Sequence, residues 1–381
     1  MKFSCDKQFL CEAIVNVSKA VASNSTIPAL EGIKVKVTHN QVELTGYNLE
    51  IGITTTLMAI TEGEGEFVID SRIFSEMTRK MSDDVIVFEL NENMTVAISS
   101  GNTQCSITAM SAEEYPELPK VDTKTPIKIP QGTLKSMISN TKYAVSTAEV
   151  ESSNIIIFGF LSIALAIHTG ELFDIENNSF SMVAMDGFRL AIRNESIAYT
   201  EKSYFVVPRK TLSELSSLIR DNDGERECNI YVNPKNVIFD INGYLIISRL
   251  LEGEFHNYKI SIPSEYKTEI ILNTKDFITS MERCSLLIDS KNKAPVKCTF
   301  ENGEAHVECK TPLGEINDIL PASVTGEPVT IGFNNKFALD ALRASECDRI
   351  KIQLNGGMKV IKMLPVEGED FIFLLMPIQL R

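Results

Sequence analysis

The sequence predicts an α+β fold built from three copies of one module, each with two helices and the antiparallel strands of two sheets. Three observations carry this. Six segments have the apolar spacing of amphipathic helices and recur at similar intervals. Strand–turn–strand segments follow each of them in matching pairs. Two stretches, EEYPELP (113–119) and GEFHNYKISIP (253–263), close successive copies in the same way.

The helical segments lie near DKQFLCEAIVNVSKAV, DSRIFSEMTRKM, PQGTLKSMISNTKYAV, PRKTLSELSSLI, NTKDFITSMERCSLL and NNKFALDALRAS. Taking Phe9, Phe74, Leu134, Leu212, Phe277 and Phe337 as their anchors, successive gaps are 65, 60, 78, 65 and 60 residues. The long gap marks an insertion between Leu134 and Leu212, and the flanking hairpins narrow it to about residues 150–168. After the odd-numbered helices come alternating flanks around turns at His39-Asn40, Asn177-Asn178 and Asn302-Gly303. After the even-numbered helices come VIVFELNENMTVAIS, CNIYVNPKNVIFDI and RIKIQLNGGMKVIKM. The Asn-Gly pairs at 302–303 and 355–356 suit tight hairpin turns. Module boundaries fall in VDTKTPIKIP and PSEYKTE, which gives modules 1–125, 126–266 and 267–381.

Composition bounds the function. At 381 residues, 44% hydrophobic and 23% charged, the chain reads as globular and long enough for several cores. Its net charge of −14 argues against tight footprint binding of nucleic acid, because phosphate affinity comes from basic patches. Loose or topological contact through a local basic surface stays open. The first residues, MKFSCDKQFLCEAI, lack the apolar core and cleavage site of a signal peptide. Eight scattered cysteines form no Cys-x-x-Cys pair and no zinc spacing, which predicts reduced thiols in a bacterial-type cytoplasm and no metal site. The apolar run at 155–167 is 13 residues long, short of the ~18–20 a membrane span needs. A buried strand pair or helix is expected there.

No catalytic constellation is visible. His39, His168, His256 and His306 lack a recognisable Ser or Cys partner, and no phosphate-binding glycine loop, EF-hand or His-Glu-x-x-His motif occurs. The chain reads as non-enzymatic and without a cofactor. Lys7, Lys19, Arg79, Lys80, Lys135, Lys142, Arg209, Lys210, Lys275, Arg283 and Arg343 all fall on or beside the six helical segments. One reading is an ordinary solvated face; the other is a helical surface turned toward phosphate.

Ordered motifs then support a resemblance. SNSTIPALEGI, TGYNLEIGI, MSAEEYPELP, MDGFRLAIR, FVVPRK, EGEFHNYKISIP, PVTIGFNNKFALDAL and the tail FIFLLMPIQLR together resemble the beta subunit of bacterial DNA polymerase III, the sliding-clamp family. The likeness covers nearly the whole chain except 150–168. It implies a head-to-tail homodimer closed into a ring, with helices lining a hole for double-stranded DNA and sheets outside. It implies no reaction of its own, but tethering of the polymerase III alpha subunit, the clamp loader and other DNA enzymes. Such partners dock Gln-Leu-x-Leu-Phe-like peptides in an apolar cleft. The matching cleft positions are His168, Met185, Gly187, Arg189, Leu190, His256, Ile260, Leu374, Met376, Pro377 and Ile378. The positions matching DNA-facing residues are Arg79, Lys80, Arg209 and Lys210, with Asn24 where the family carries a basic residue. The ring seam would pair Cys105 and Ile107 with Leu286 and Leu287. Asn24 and the apolar insertion suggest a second expectation: a clamp-fold peptide-binding scaffold with impaired DNA function.

Overall fold

The structure, a computed structural model, describes all residues except 123–124, 147–155, 158–159, 162–164, 221–223, 289–293 and 381. All six predicted helices are present: α1 (Lys7–Ser18), α2 (Ser71–Lys80), α3 (Gln131–Thr141), α4 (Arg209–Leu218), α5 (Thr274–Ser285) and α6 (Asn335–Ala344). Asp6, Asp70, Asn273 and Asn334 each accept a backbone N–H of the first turn of α1, α2, α5 and α6, so the start signals are local and chemical. Five anchors sit in or against cores. The sixth does not: Phe9 is 64% exposed, and Leu10 takes its place on the face formed with Ala13, Ile14 and Val17. An apolar stripe takes positions i, i+3, i+4 and i+7; counted from Leu10 these are Ala13, Ile14 and Val17, and Phe9 falls outside it.

The chain forms two compact units. The first comprises Met1–Leu134 and Lys210–Leu250. Its five-stranded sheet runs Ile60–Glu62, Lys2–Asp6, Val85–Leu90, Thr95–Ser100, Thr103–Thr108. Its eight-stranded sheet runs Ile127–Pro130, Glu227–Val232, Asn236–Ile241, Tyr244–Arg249, Ile51–Met58, Gln41–Tyr47, Gly32–Thr38, Gly65–Asp70. Antiparallel pairing of Tyr244–Ser248 with Ile51–Thr55 joins the first and second sequence modules in one sheet.

The second unit comprises Lys135–Arg209 and Leu251–Arg381. Its twelve strands run Ser203–Pro208, Gly170–Glu176, Ser179–Met185, Arg189–Ser196, Phe371–Leu375, Ile361–Pro365, Arg349–Leu354, Thr268–Asn273, Gly314–Gly326, Glu304–Thr311, Val296–Glu301, Val329–Phe333. Here the join is Arg189–Arg193 against Phe371–Leu375. The second sequence module therefore contributes to both units. α5 and α6 close over a core that includes Phe277, Met281, Phe333, Leu342 and Phe373.

The turns at Asn177-Asn178 and Asn302-Gly303 have both residues at positive φ, as a two-residue hairpin demands. The pair at 355–356 differs from expectation. Strand pairing there stops at Gln353 and Lys362, so Asn355-Gly356 opens a longer loop. A further tight turn is Asn242-Gly243 (φ 49° and 81°), between Asn236–Ile241 and Tyr244–Arg249. Within the apolar run, Ile156–Ile157 pairs with Phe160–Leu161, and Leu165–Thr169 is a 3-10 turn whose Ile167 and His168 are buried. The rest of the predicted insertion lies outside the described residues. Among the described residues, no helix is long and apolar enough to cross a membrane.

Candidate peptide-docking site and basic helix ends

The register Leu190↔Leu374 places both leucines on one face of the second unit's sheet. There they pack with Met185, Ile167, Phe255 and Tyr258 in one apolar cluster. Met185, Leu190 and Leu374 are wholly buried and make a packed floor. The exposed apolar groups are Phe188, 50% accessible, and Ile260, 61% accessible on the turn Tyr258–Ser261.

The strand enters this floor through a built corner. Asp186 Oδ1 accepts the backbone N–H groups of Phe188 (3.0 Å) and Arg189 (3.1 Å). Gly187 sits at φ +90°, where a side chain is strained. Arg189 is buried, only 8% exposed, and held on several sides. Its Nε donates to Asp186 (2.9 Å), an Nη donates to Asp340 (2.6 Å), and its guanidinium lies 4.4 Å from the Phe337 ring centre and 5.4 Å from that of Tyr143. Charge-assisted hydrogen bonds and ring stacking fix a guanidinium in one plane, and a lysine would not reproduce this.

The C-terminal segment crosses the same corner. Met376 N–H donates to the Phe188 carbonyl (2.8 Å), and Ile378 N–H donates to the Gly332 carbonyl (2.8 Å). Gly332 has to be glycine: a Cβ there would stand 2.3 Å from the Ile378 carbonyl oxygen. Met376, Pro377 and Ile378 remain half-buried. Beyond Ile378 opens a cavity of about 640 Å³ lined by Ser285, Ile288, Asn334, Asn335, Leu339 and Asp340, among others. Asn335 Nδ2 donates to Ser285 Oγ (2.7 Å) across the α5–α6 contact. Sequence reading assigned no site residue among these. The available signal was the Asn-Asn pair opening α6.

His168 lies under the floor. It is buried, edge-on to Phe255 with ring centres 4.9 Å apart, and its Nδ1 has no partner. Burial, with His256 adding to it, pushes its pKa down to about 4. It is thus a neutral aromatic filler at neutral pH. His256 is half-buried, one residue after Phe255.

The basic positions occupy helix ends. Arg79 and Lys80 are exposed in the last turn of α2, where cations suit the helix dipole. Asn24 is exposed in the loop after α1, and Ser23 beside it helps line a hollow with Arg72, Arg79, Glu31 and Asp70. That hollow carries both charge signs. Arg209 and Lys210 open α4, the first half-buried and the second exposed. Cys105 and Ile107 are half-buried on Thr103–Thr108, an edge of the five-stranded sheet. Leu286, just past α5, is 79% exposed, and Leu287 packs against the core. Among the described residues, no His, Cys, Asp and Glu side chains gather as a metal would require.

With this geometry in hand, comparison defines the class. The chain matches the DNA polymerase III beta subunit family along its length: the N-terminal domain at residues 1–119, the central domain at 128–257 and the C-terminal domain at 259–379. It belongs to that family. It is 31% identical over 393 residues to the beta sliding clamp of Bacillus subtilis (strain 168), covering all of both chains. The beta sliding clamp of Halalkalibacterium halodurans is 30% identical, again over all of both. Among solved structures, the DNA polymerase sliding clamp from Bacillus subtilis superposes with a TM-score of 0.93 at 29% identity over 100% of both chains. A putative DNA polymerase III beta subunit from Eubacterium rectale gives 0.91 at 28% over 99% of both. The α+β architecture of three clamp domains follows from these likenesses.

Proposed function

We propose that this protein is a DNA sliding clamp, a processivity factor that holds double-stranded DNA by topology and tethers a polymerase through short peptides. Full-length likeness to clamps of two bacteria, in sequence and in fold, supports the coarse reading. Net acidity fits it: a ring retains DNA without high phosphate affinity, and weak, sequence-blind contact permits sliding. Arg79, Lys80, Arg209 and Lys210 are the contacts we assign to phosphate, with Asn24 a polar neighbour. Two copies would close head to tail, Cys105 and Ile107 of one meeting Leu286 and Leu287 of the other. The sequence modules 1–125, 126–266 and 267–381 are the domains we assign. All eight cysteines are free thiols, which favours the cytoplasm. No role here needs a catalytic group.

The docking reading is carried by one observation: the segment Met376–Ile378 is pinned at both ends across a corner built around Arg189, beside exposed Phe188 and an open cavity. A packed floor, half-buried rims and a few fixed polar groups are what a Leu/Phe-anchored peptide needs. We assign His168, Met185, Gly187, Leu190 and Leu374 to the floor and its corner, and His256, Ile260, Met376, Pro377 and Ile378 to the rim. The partners are the polymerase III alpha subunit, the clamp loader and other enzymes bearing such peptides. Fluorescence polarisation with a labelled Gln-Leu-Ala-Leu-Phe peptide tests this. Saturable binding by the intact chain, lost on removing residues 376–381, is expected; no binding by folded, dimeric protein would overturn it. Retention on closed circular DNA, with release on linearisation, tests the ring and separates it from a scaffold without DNA function.

A further inference from the structure

A completely enclosed carboxyl, Glu171, stands at the start of Gly170–Glu176 and has no part in the docking reading above. Its Oε2 lies 2.5 Å from Thr141 Oγ1, at the end of α3. The same hydroxyl oxygen lies 2.8 Å from the Met137 carbonyl oxygen. A threonine hydroxyl has one proton, and a carbonyl can only accept. If Thr141 donates to Met137, the short contact to Glu171 must be filled by a proton on the carboxyl. A separation of 2.5 Å is at the short limit of O–H···O bonds. The other oxygen, Oε1, is buried without a partner. A protonated acid tolerates this as an unfilled carbonyl, whereas a carboxylate would leave bare charge there.

The position matters because of what α3 carries beyond Thr141. Tyr143, in the following 3-10 turn, packs edge-on against Phe373 (5.6 Å) and lies beneath Arg189 (5.4 Å). Asn140 Nδ2 donates to the Ala344 carbonyl at 2.6 Å. Ser146 N–H donates to the His168 carbonyl at 2.9 Å. We propose that Glu171 is a positioning residue, a proton-bearing latch that fastens the end of α3 to the strand Gly170–Glu176 and so holds Tyr143 under Arg189 for peptide docking. This rests on the docking reading.

The charged groups acting on Glu171 are Lys142 of the 3-10 turn and Arg209 at the start of α4; both favour the anion, as would the Thr141 hydroxyl were it to donate to the carboxylate instead of to Met137. Asp174, on the same strand, is engaged by Tyr258 and Lys259. His168, three residues before Glu171, is held neutral by burial and by His256. Burial outweighs the two cations and pushes the Glu171 carboxyl up to about 8. Above that pH the carboxyl proton is gone: the anion is drawn toward Lys142 and Arg209, and Thr141 bonds it only by turning its single proton away from the Met137 carbonyl.

The test uses the full chain and Glu171→Gln, whose amide can still donate to Thr141 but cannot titrate. Infrared difference spectra between about pH 6 and about pH 9.5 should lose a protonated-carboxyl band that the variant lacks. Over that range, affinity for the Gln-Leu-Ala-Leu-Phe peptide should fall at least about threefold more in the parent than in Glu171→Gln. A carboxyl already ionised at neutral pH, or identical pH profiles for the two proteins, overturns the proposal. If the parent binds no peptide at any pH, the docking reading falls, and the infrared band alone decides whether Glu171 carries the proton.

Discussion

The pH dependence of stability follows from two buried groups three residues apart whose shifts oppose each other. Glu171 has its pKa raised from 4.5 to about 8, and His168 has its pKa lowered from 6.5 to about 4. For Glu171 the native state keeps a proton that the unfolded chain loses. Its stabilisation is complete below about pH 4.5 and is lost as pH rises to about 8, at ~1.4 kcal/mol per pH unit. His168 works the other way: the unfolded chain takes a proton that the native state refuses, so stability falls as pH drops from about 6.5 to about 4. Between about pH 4.5 and 6.5 each contributes one proton of opposite sign, and the slopes cancel. From about pH 6.5 to 8 only Glu171 titrates, so the native state should lose about 2 kcal/mol. Urea unfolding at stepped pH, followed by tyrosine fluorescence in this tryptophan-free chain, reads this directly. Glu171→Gln should flatten the neutral-to-alkaline decline. His168→Leu should extend that decline down to about pH 4.5. A flat parent profile between pH 6.5 and 8, matching Glu171→Gln, would refute the reasoning.

Three further outcomes are expected. A double-mutant cycle on Arg189→Met and Asp340→Asn should give a coupling of about 2 kcal/mol, because the 2.6 Å pair has side chains only 10% and 27% exposed; below about 0.5 kcal/mol, Asp186 and the stacking rings hold the guanidinium without Asp340. Gly46→Ala should destabilise the first unit by more than about 2 kcal/mol in chemical denaturation, since its Cβ would stand 2.3 Å from the Val17 carbonyl oxygen. Leu286→Asp should weaken self-association by about tenfold or more in sedimentation velocity while leaving unfolding midpoints unchanged, because Leu286 is 79% exposed in a single chain.

The helices were legible because each repeats one buried stripe within a dozen positions, and α1, α2, α5 and α6 also open on a capping side chain. Phe9 misled because Leu10 adjoins it, and spacing cannot say which of two neighbours starts the stripe. Turn chemistry was legible by composition but not by location: Asn242-Gly243 and Asn355-Gly356 carry the same dipeptide, and only strand register separates a tight turn from a longer loop. The joins between modules left no local trace. Ile246↔Ile53 and Leu190↔Leu374 are pairings between residues more than 180 positions apart in ordinary strand sequence. Residue-type resemblance found Arg189, but not Asp340, its partner 151 residues away. Glu171 was invisible for another reason. In ELFDIE it reads as the polar member of an alternating strand, yet Gly170–Ile175 is buried on both faces.

Sheet edges connect the fold to self-association. A strand edge exposes unpaired N–H and C=O groups and invites a partner unless it is short, capped or covered. Three edges here are capped by one repeated device. Met110, Leu251 and Ile378 each bridge back to the strand that precedes the second helix of a module, at Val68, Val206 and Gly332. The tail at Met376–Ile378 is thus the third instance of the segments that begin at Met110 and Leu251. Two other edges are blunted by length, Ile60–Glu62 with three residues and Ile127–Pro130 with four and a terminal proline. Among the described residues two longer stretches keep one free side. One is Thr103–Thr108, paired only with Thr95–Ser100. The other is the first part of Gly314–Gly326, whose Gly314–Pro321 pairs only with Glu304–Thr311. The first presents half-buried Cys105 and Ile107; beside the second, Leu287 packs 3.7 Å from the Cβ position of Gly314, next to exposed Leu286. If the proposed seam joins these two free edges, one on each unit, the contact between copies is heterologous, and a heterologous contact yields either a closed ring or an open filament. Ring closure therefore predicts a single discrete dimer at all concentrations above its dissociation constant, and a concentration-dependent ladder of higher species would mean that the two edges do not close on each other.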